Sequence, residues 1–184
     1  TDQYGEAQKL NIFSASVGLN RLLRWPDDYF SLYTGIQYQS YDFSNYPFQF
    51  GNETEYNGSA KNFSFNVGLS RMSAGLDPIF PTQGSNLEAS VKFTPPYSLF
   101  SDKNYATMTN VEKYKWLEFY KVKIKADVYN TVVGKLVLRS TAEMGFLNGY
   151  NKELGAPPFE RFYVGGTGLF GGRYDGRELV PLRG

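Results

Sequence analysis

Few side chains in this chain can do chemistry, and the missing types narrow the field most. There is no cysteine and no histidine. That removes thiol nucleophiles, disulfides, histidine-based triads and histidine metal sites. Asp27-Asp28 is a paired carboxylate, but it follows Trp25-Pro26 in a short connection, where solvated turn chemistry is the better reading. Gly165-Gly166-Thr167-Gly168 is glycine-rich, yet it lacks the lysine of a phosphate-binding loop and opens no helix. Asn52-Glu53-Thr54 resembles a glycosylation triplet, a pattern too common to carry an argument. No catalytic residue, metal site or cofactor is expected.

The remaining candidates gather in the tail, Pro157 to Gly184. It holds Arg161, Arg173, Arg177 and Arg183 among many glycines, with Phe159, Phe162, Tyr163, Phe170 and Tyr174 interleaved. No apolar period runs through it, so most of it reads as neither strand nor helix. Clustered glycine permits positive φ and close backbone approach. Arginines and aromatics argue against a solvated linker, so the expectation is an ordered loop packed into something.

Composition restricts what that something can be. Lys+Arg is 19 and Asp+Glu is 18, so no charge imbalance points to nucleic acid. No run approaches the ~20 apolar residues of a membrane helix. Strands of a membrane barrel alternate and escape such a search. The chain has no initiator Met and no signal peptide, which reads as a mature form or a fragment.

Period-two alternation recurs along the chain. Phe13, Ala15, Val17 and Leu19 oppose Ser14, Ser16, Gly18 and Asn20. Phe63, Phe65, Val67 and Leu69 oppose Ser64, Asn66, Gly68 and Ser70. Tyr120, Val122, Ile124, Ala126 and Val128 oppose Lys121, Lys123, Lys125 and Asp127. The predicted strands cover 11–24, 29–41, 62–73, 85–94, 116–130 and 135–147, with a long loop over 148–184. Long polar connections, 42–61 and 95–115, alternate with shorter turns. Such loop asymmetry, with strands near the 9–11 residues of a tilted membrane strand, describes an outer-membrane barrel. Gly, Ser, Asn and Gln on the second face suit a watered lumen. A soluble antiparallel sheet with one wet face also alternates, so a β-sandwich or lipocalin-like binder stays open. Trp25 and Trp116 lie near strand ends, where aromatics form interfacial girdles.

Two details follow from the pattern. Leu87, Val91, Val122 and Ile124 should face acyl chains. In the last hairpin, a turn at 131–135 with Asn130 opposite Leu136 would set Asp127 against Arg139 and Lys123 against Glu143.

Glu160-Arg161-Phe162-Tyr163-Val164-Gly165-Gly166, followed by Leu182-Arg183-Gly184, resembles the sixth extracellular loop of the BamA superfamily. These are outer-membrane barrels that insert other barrels or secrete proteins. The family hallmark is an apolar residue, Arg, Gly, then an aromatic; the chain stops at Gly184, before the aromatic. Phe170-Gly171-Gly172-Arg173-Tyr174 is a poorer match, with Gly and Arg in the wrong order. The long spacer between Gly166 and Leu182 resembles the Bacteroidota form. Phe80-Pro81-Thr82-Gln83-Gly84 resembles the turn before the ninth barrel strand of these proteins.

The resemblance implies an all-β, antiparallel up-and-down transmembrane β-barrel, present here in part, with six strands of a barrel of about sixteen. It implies the bacterial outer membrane as location. The implied function is folding and inserting β-barrel proteins without covalent chemistry. The implied partners are nascent outer-membrane β-barrel proteins, accessory lipoproteins of an assembly complex, outer-membrane lipid and N-terminal POTRA domains outside this chain. Leu182, Arg183 and Gly184 would anchor the loop in the lumen, supported by Phe162, Tyr163, Gly165 and Gly166. A secretion pore of the same superfamily, of the two-partner type, is the alternative.

Overall fold

A computed structural model describes residues 9–46, 56–74, 80–100, 105–157, 160–164 and 178–180. Six strands form one sheet in chain order: β1 (Lys9–Leu22), β2 (Phe30–Tyr46), β3 (Tyr56–Met72), β4 (Gly84–Phe93), β5 (Tyr120–Val133) and β6 (Leu136–Asn148). Every neighbouring pair is antiparallel. This is the up-and-down wall of a β-barrel, and among the described residues its edge strands β1 and β6 do not pair with each other. The tail adds two short strands, β7 (Phe162–Val164) and β8 (Glu178–Val180), paired in parallel.

The register assigns each strand's faces. Thr34↔Val67, Val67↔Val91 and Val91↔Val122 share one face, which continues through Val122↔Phe146. Leu87, pairing with Ala126, and Ile124, pairing with Ala89 and Met144, lie on it too. Large apolar side chains on this face stand exposed, among them Val17, Leu19, Ile36 and Met144. An apolar face of this breadth costs too much in water and fits a lipid environment.

Near one end of that face an aromatic row crosses all six strands. Phe13 meets Tyr38, Phe63 meets Phe65, Phe65 stacks on Phe93 at 5.3 Å, and Tyr120 meets Phe146. This is the arrangement of an interfacial girdle. At the opposite end Arg71 ties the turns together. Its Nε and Nη2 each lie 2.8 Å from Asp27 Oδ2, and Nη1 reaches Ser73 Oγ and Ser85 Oγ. Asp27 is therefore a turn carboxylate holding a cation, and it also caps the backbone N–H of Tyr29. The resemblance turn has its own steric reason for Gly84. Its φ is 102°, and a Cβ there would fall 2.1 Å from the Ser73 carbonyl oxygen.

Three expectations are corrected. The connection read at 42–61 is largely strand, because β2 runs to Tyr46 and β3 starts at Tyr56. Tyr41 and Phe43 on this extension bury against Ala60, Leu117 and Phe119, so the sheet is held by a core the local pattern does not reveal. The 95–115 connection, read as a long polar loop, contains 3-10 turns at Tyr97–Phe100 and Tyr105–Thr107 and the single-turn helix α1 (Asn110–Lys113).

The third correction is the last hairpin. Asn130 pairs with Leu138, not Leu136, so Asp127 lies opposite Thr141 and Lys125 opposite Glu143. The turn is the tight pair Gly134-Lys135, with Gly134 at φ 55°, and a bulge between Thr131 and Val133 takes up one residue. Asp127 nevertheless keeps Arg139, now diagonally at 2.9 Å, and accepts a bond from the Thr141 hydroxyl.

Candidate functional site on the polar face

The second face of the sheet is polar and carries tail residues. Its small side chains are filled locally where strands meet. Tyr33 lies over Gly18 and Gly35, where a Cβ would sit 2.5–2.6 Å from its hydroxyl oxygen. Ser31 and Ser70 bond each other at 2.7 Å. Further along, Gln39 pairs with Asn62 across β2 and β3 and Lys92 with Lys121 across β4 and β5, and Lys92 Nζ reaches Gln39 Oε1 at 3.3 Å.

The buried carboxylate of Glu160 enters this group from the tail. Lys92 Nζ lies 2.8 Å from Oε1, and Lys121 Nζ lies 3.3 Å from Oε2. Lys121 also donates to the Glu160 backbone carbonyl at 2.9 Å. Asn62 Nδ2 reaches Oε1 at 3.4 Å and Gln39 Oε1 at 3.3 Å. Charge-assisted bonds of this kind are stronger than neutral ones. The Asn62 Oδ1 and Ser64 hydroxyl are buried with no hydrogen-bond partner among the described residues.

Phe162, two residues on, faces the same wall. Lys121 Nζ stands 4.6 Å from its ring centroid and Lys123 Nζ 5.9 Å, a cation–π arrangement. The ring covers Gly145 of β6, where a Cβ would approach it to 2.9 Å. Arg161, between the two, is exposed. Glu160, in a 3-10 turn closed by its N–H on the Pro157 carbonyl, and Phe162, the first residue of β7, both contact the polar face.

A second cap covers the end of this face beyond β4. Leu117 and Lys115 bond the backbone of Lys61, and Thr94 pairs with Phe119. The buried Glu118 carboxylate accepts from the Ser98 backbone N–H and hydroxyl. Trp116 meets Tyr97 at 5.5 Å with the rings tilted by 50°, and Lys61 of β3 lies over the Trp116 ring. Burial pushes the Tyr97 and Tyr150 phenols up, and the Glu118 carboxylate adds to both. Burial also raises Tyr114, whose hydroxyl donates to the Leu154 carbonyl; Arg161 partly opposes that rise.

Of the site residues read from the sequence, Phe162 lies on the polar face and Tyr163 is in β7. Gly165, Gly166, Leu182, Arg183 and Gly184 lie outside the described residues. The residue passed over is Glu160. A lone acidic residue next to a matched motif gives no signal by itself. The signal lay in three lysines on one strand face with no matching acid on that strand before Asp127. Among the described residues no group of His, Cys, Asp and Glu could hold a metal ion, and no helix is long and apolar enough to cross a membrane.

None of the curated proteins matches the chain. A family model does: the one described as the Omp85 superfamily domain matches residues 2–178, nearly the whole length. Omp85 proteins are outer-membrane barrels, both assembly factors and secretion pores, that engage substrate proteins and accessory factors. With an antiparallel wall apolar on one face, polar on the other and seating Glu160 and Phe162 on the polar side, this chain belongs to the Omp85 superfamily.

Proposed function

We propose that the chain is wall and lumen loop of an outer-membrane protein assembly factor, which folds and inserts β-barrel proteins without covalent chemistry and without a cofactor. The observation supporting this is the seating of Glu160 and Phe162 on the polar face. Those residues open the segment that resembles the lumen loop of assembly barrels. A client strand would pair with an exposed strand edge by β-augmentation. Nascent barrel proteins, accessory lipoproteins, outer-membrane lipid and POTRA domains are the partners of this reading. Arg183, with Leu182 and Gly184, would be the tip anchor, since a guanidinium in a confined lumen needs an acidic or carbonyl partner.

Reconstitution tests the reading. The full-length protein in liposomes should convert an unfolded outer-membrane barrel client to its heat-modifiable folded form faster than empty liposomes do. Liposomes that pass a soluble passenger across the bilayer but leave the barrel client unfolded would favour a secretion pore.

A further inference from the structure

We infer that Glu160 is a positioning residue, seating the tail on the barrel wall by acting through the opposed lysines Lys92 and Lys121. The inference rests on the proposed reading only in placing the polar face toward the lumen.

Lys92 and Lys121 are direct cross-strand partners. Like charges in that relation oppose strand pairing. Both ammonium groups instead converge on Glu160, one on each carboxylate oxygen. The contact holds the tail's main chain as well, because Lys121 bonds the Glu160 carbonyl. Phe162 provides a second hold, under Lys121 and against Gly145. Two tail residues thus meet β3, β4, β5 and β6 together. Their geometry makes tail position and β4–β5 charge balance one event. A seated tail neutralises the pair, and an unseated tail leaves two ammonium groups face to face.

Pro157, fully buried and three residues before Glu160, is a place to read tail position. A cysteine introduced at Pro157 in the full-length protein, in outer-membrane vesicles, reports it through maleimide labelling. Glu160→Gln should label about tenfold faster than the reporter alone while the barrel keeps its heat-modifiable mobility. Losing a buried ion-pair partner costs enough for that change. The pair Lys121→Gln with Glu160→Gln separates positioning from simple wall stability. It should regain thermal resistance lost in Glu160→Gln yet still label fast. Slow labelling in Glu160→Gln, or slow labelling in the Lys121→Gln pair, would overturn the inference. The readout is tail accessibility, which is the same for an assembly factor and a secretion pore. Failure of the assembly reading appears only in the reconstitution.

Discussion

Lys92 on β4 and Lys121 on β5 stand directly opposite one another, and the carboxylate of Glu160 lies between their ammonium groups. The consequences of losing a lysine and of losing the acid are therefore unequal. Lys92→Gln leaves Glu160 with Lys121 and Asn62, and should cost about 1 kcal/mol. Glu160→Gln withdraws the carboxylate that both ammonium groups contact. Breaking a buried pair costs about 3–5 kcal/mol. The low end applies here, because the Lys92 side chain keeps 19% of its surface exposed. Denaturant unfolding of the full-length protein in detergent would compare them; equal midpoints would show that the lysines do not oppose each other.

Gly145 makes room for Phe162. A Cβ there would come within 2.9 Å of the ring, so Gly145→Val must push it aside. Overpacking of this kind costs about 1–3 kcal/mol. Phe162→Ala should cost much less in the Gly145→Val background than in the parent, because the two changes disrupt one contact. Additive losses in a double-mutant cycle would mean the ring does not depend on Gly145.

The hairpin register has a direct test. Lys125 and Glu143 are opposed, whereas Lys123 and Glu143 are diagonal. Opposed Cβ atoms lie about 4.5–5.5 Å apart and diagonal ones about 7–8 Å. Lys125→Cys with Glu143→Cys should oxidise readily to a disulfide in the folded barrel, and Lys123→Cys with Glu143→Cys should not. The reverse outcome would restore the register expected from a five-residue turn.

Ile124 shares the apolar face with Ala89 and Met144, while Lys125 points to the polar face. Arg near the bilayer midplane costs about 2–4 kcal/mol. Ile124→Arg should lower the temperature at which the full-length barrel loses heat-modifiable migration, and Lys125→Gln should leave it nearly unchanged. Similar losses at both positions would show the faces to be misassigned.

The cap over β3 should be sensitive to alkali. Tyr97, Tyr114 and Tyr150 have phenols raised above the ordinary value of 10.0, chiefly by burial. The folded state thus holds these protons more tightly than the unfolded chain. Their contribution is fully present below pH 10.0 and is lost as pH rises through the folded values. Hydrogen exchange at Leu117 and Phe119 should stay slow to about pH 9 and quicken above about pH 10 beyond its intrinsic rise. No such break would show the phenols to be freely solvated.

Alternation by itself determined the strands and their faces, while loop asymmetry favoured a membrane barrel over a soluble sheet. A side chain's face on an extended chain depends only on residue parity. Val91, Val122 and Ile124 could therefore be assigned to one face, and Lys121 and Lys123 to the other, before any pairing was known.

What parity cannot supply is anything set by distance between segments. The β5–β6 register turned on Gly134 and one bulged residue, local details that shift every partner by two without changing a face. The aromatic row needed all five registers of the six strands to align. The contact of Glu160 with Asn62 joins residues 98 positions apart. Only the sheet brings Lys92 beside Lys121, and only that juxtaposition of like charges gives the tail's carboxylate a place to sit.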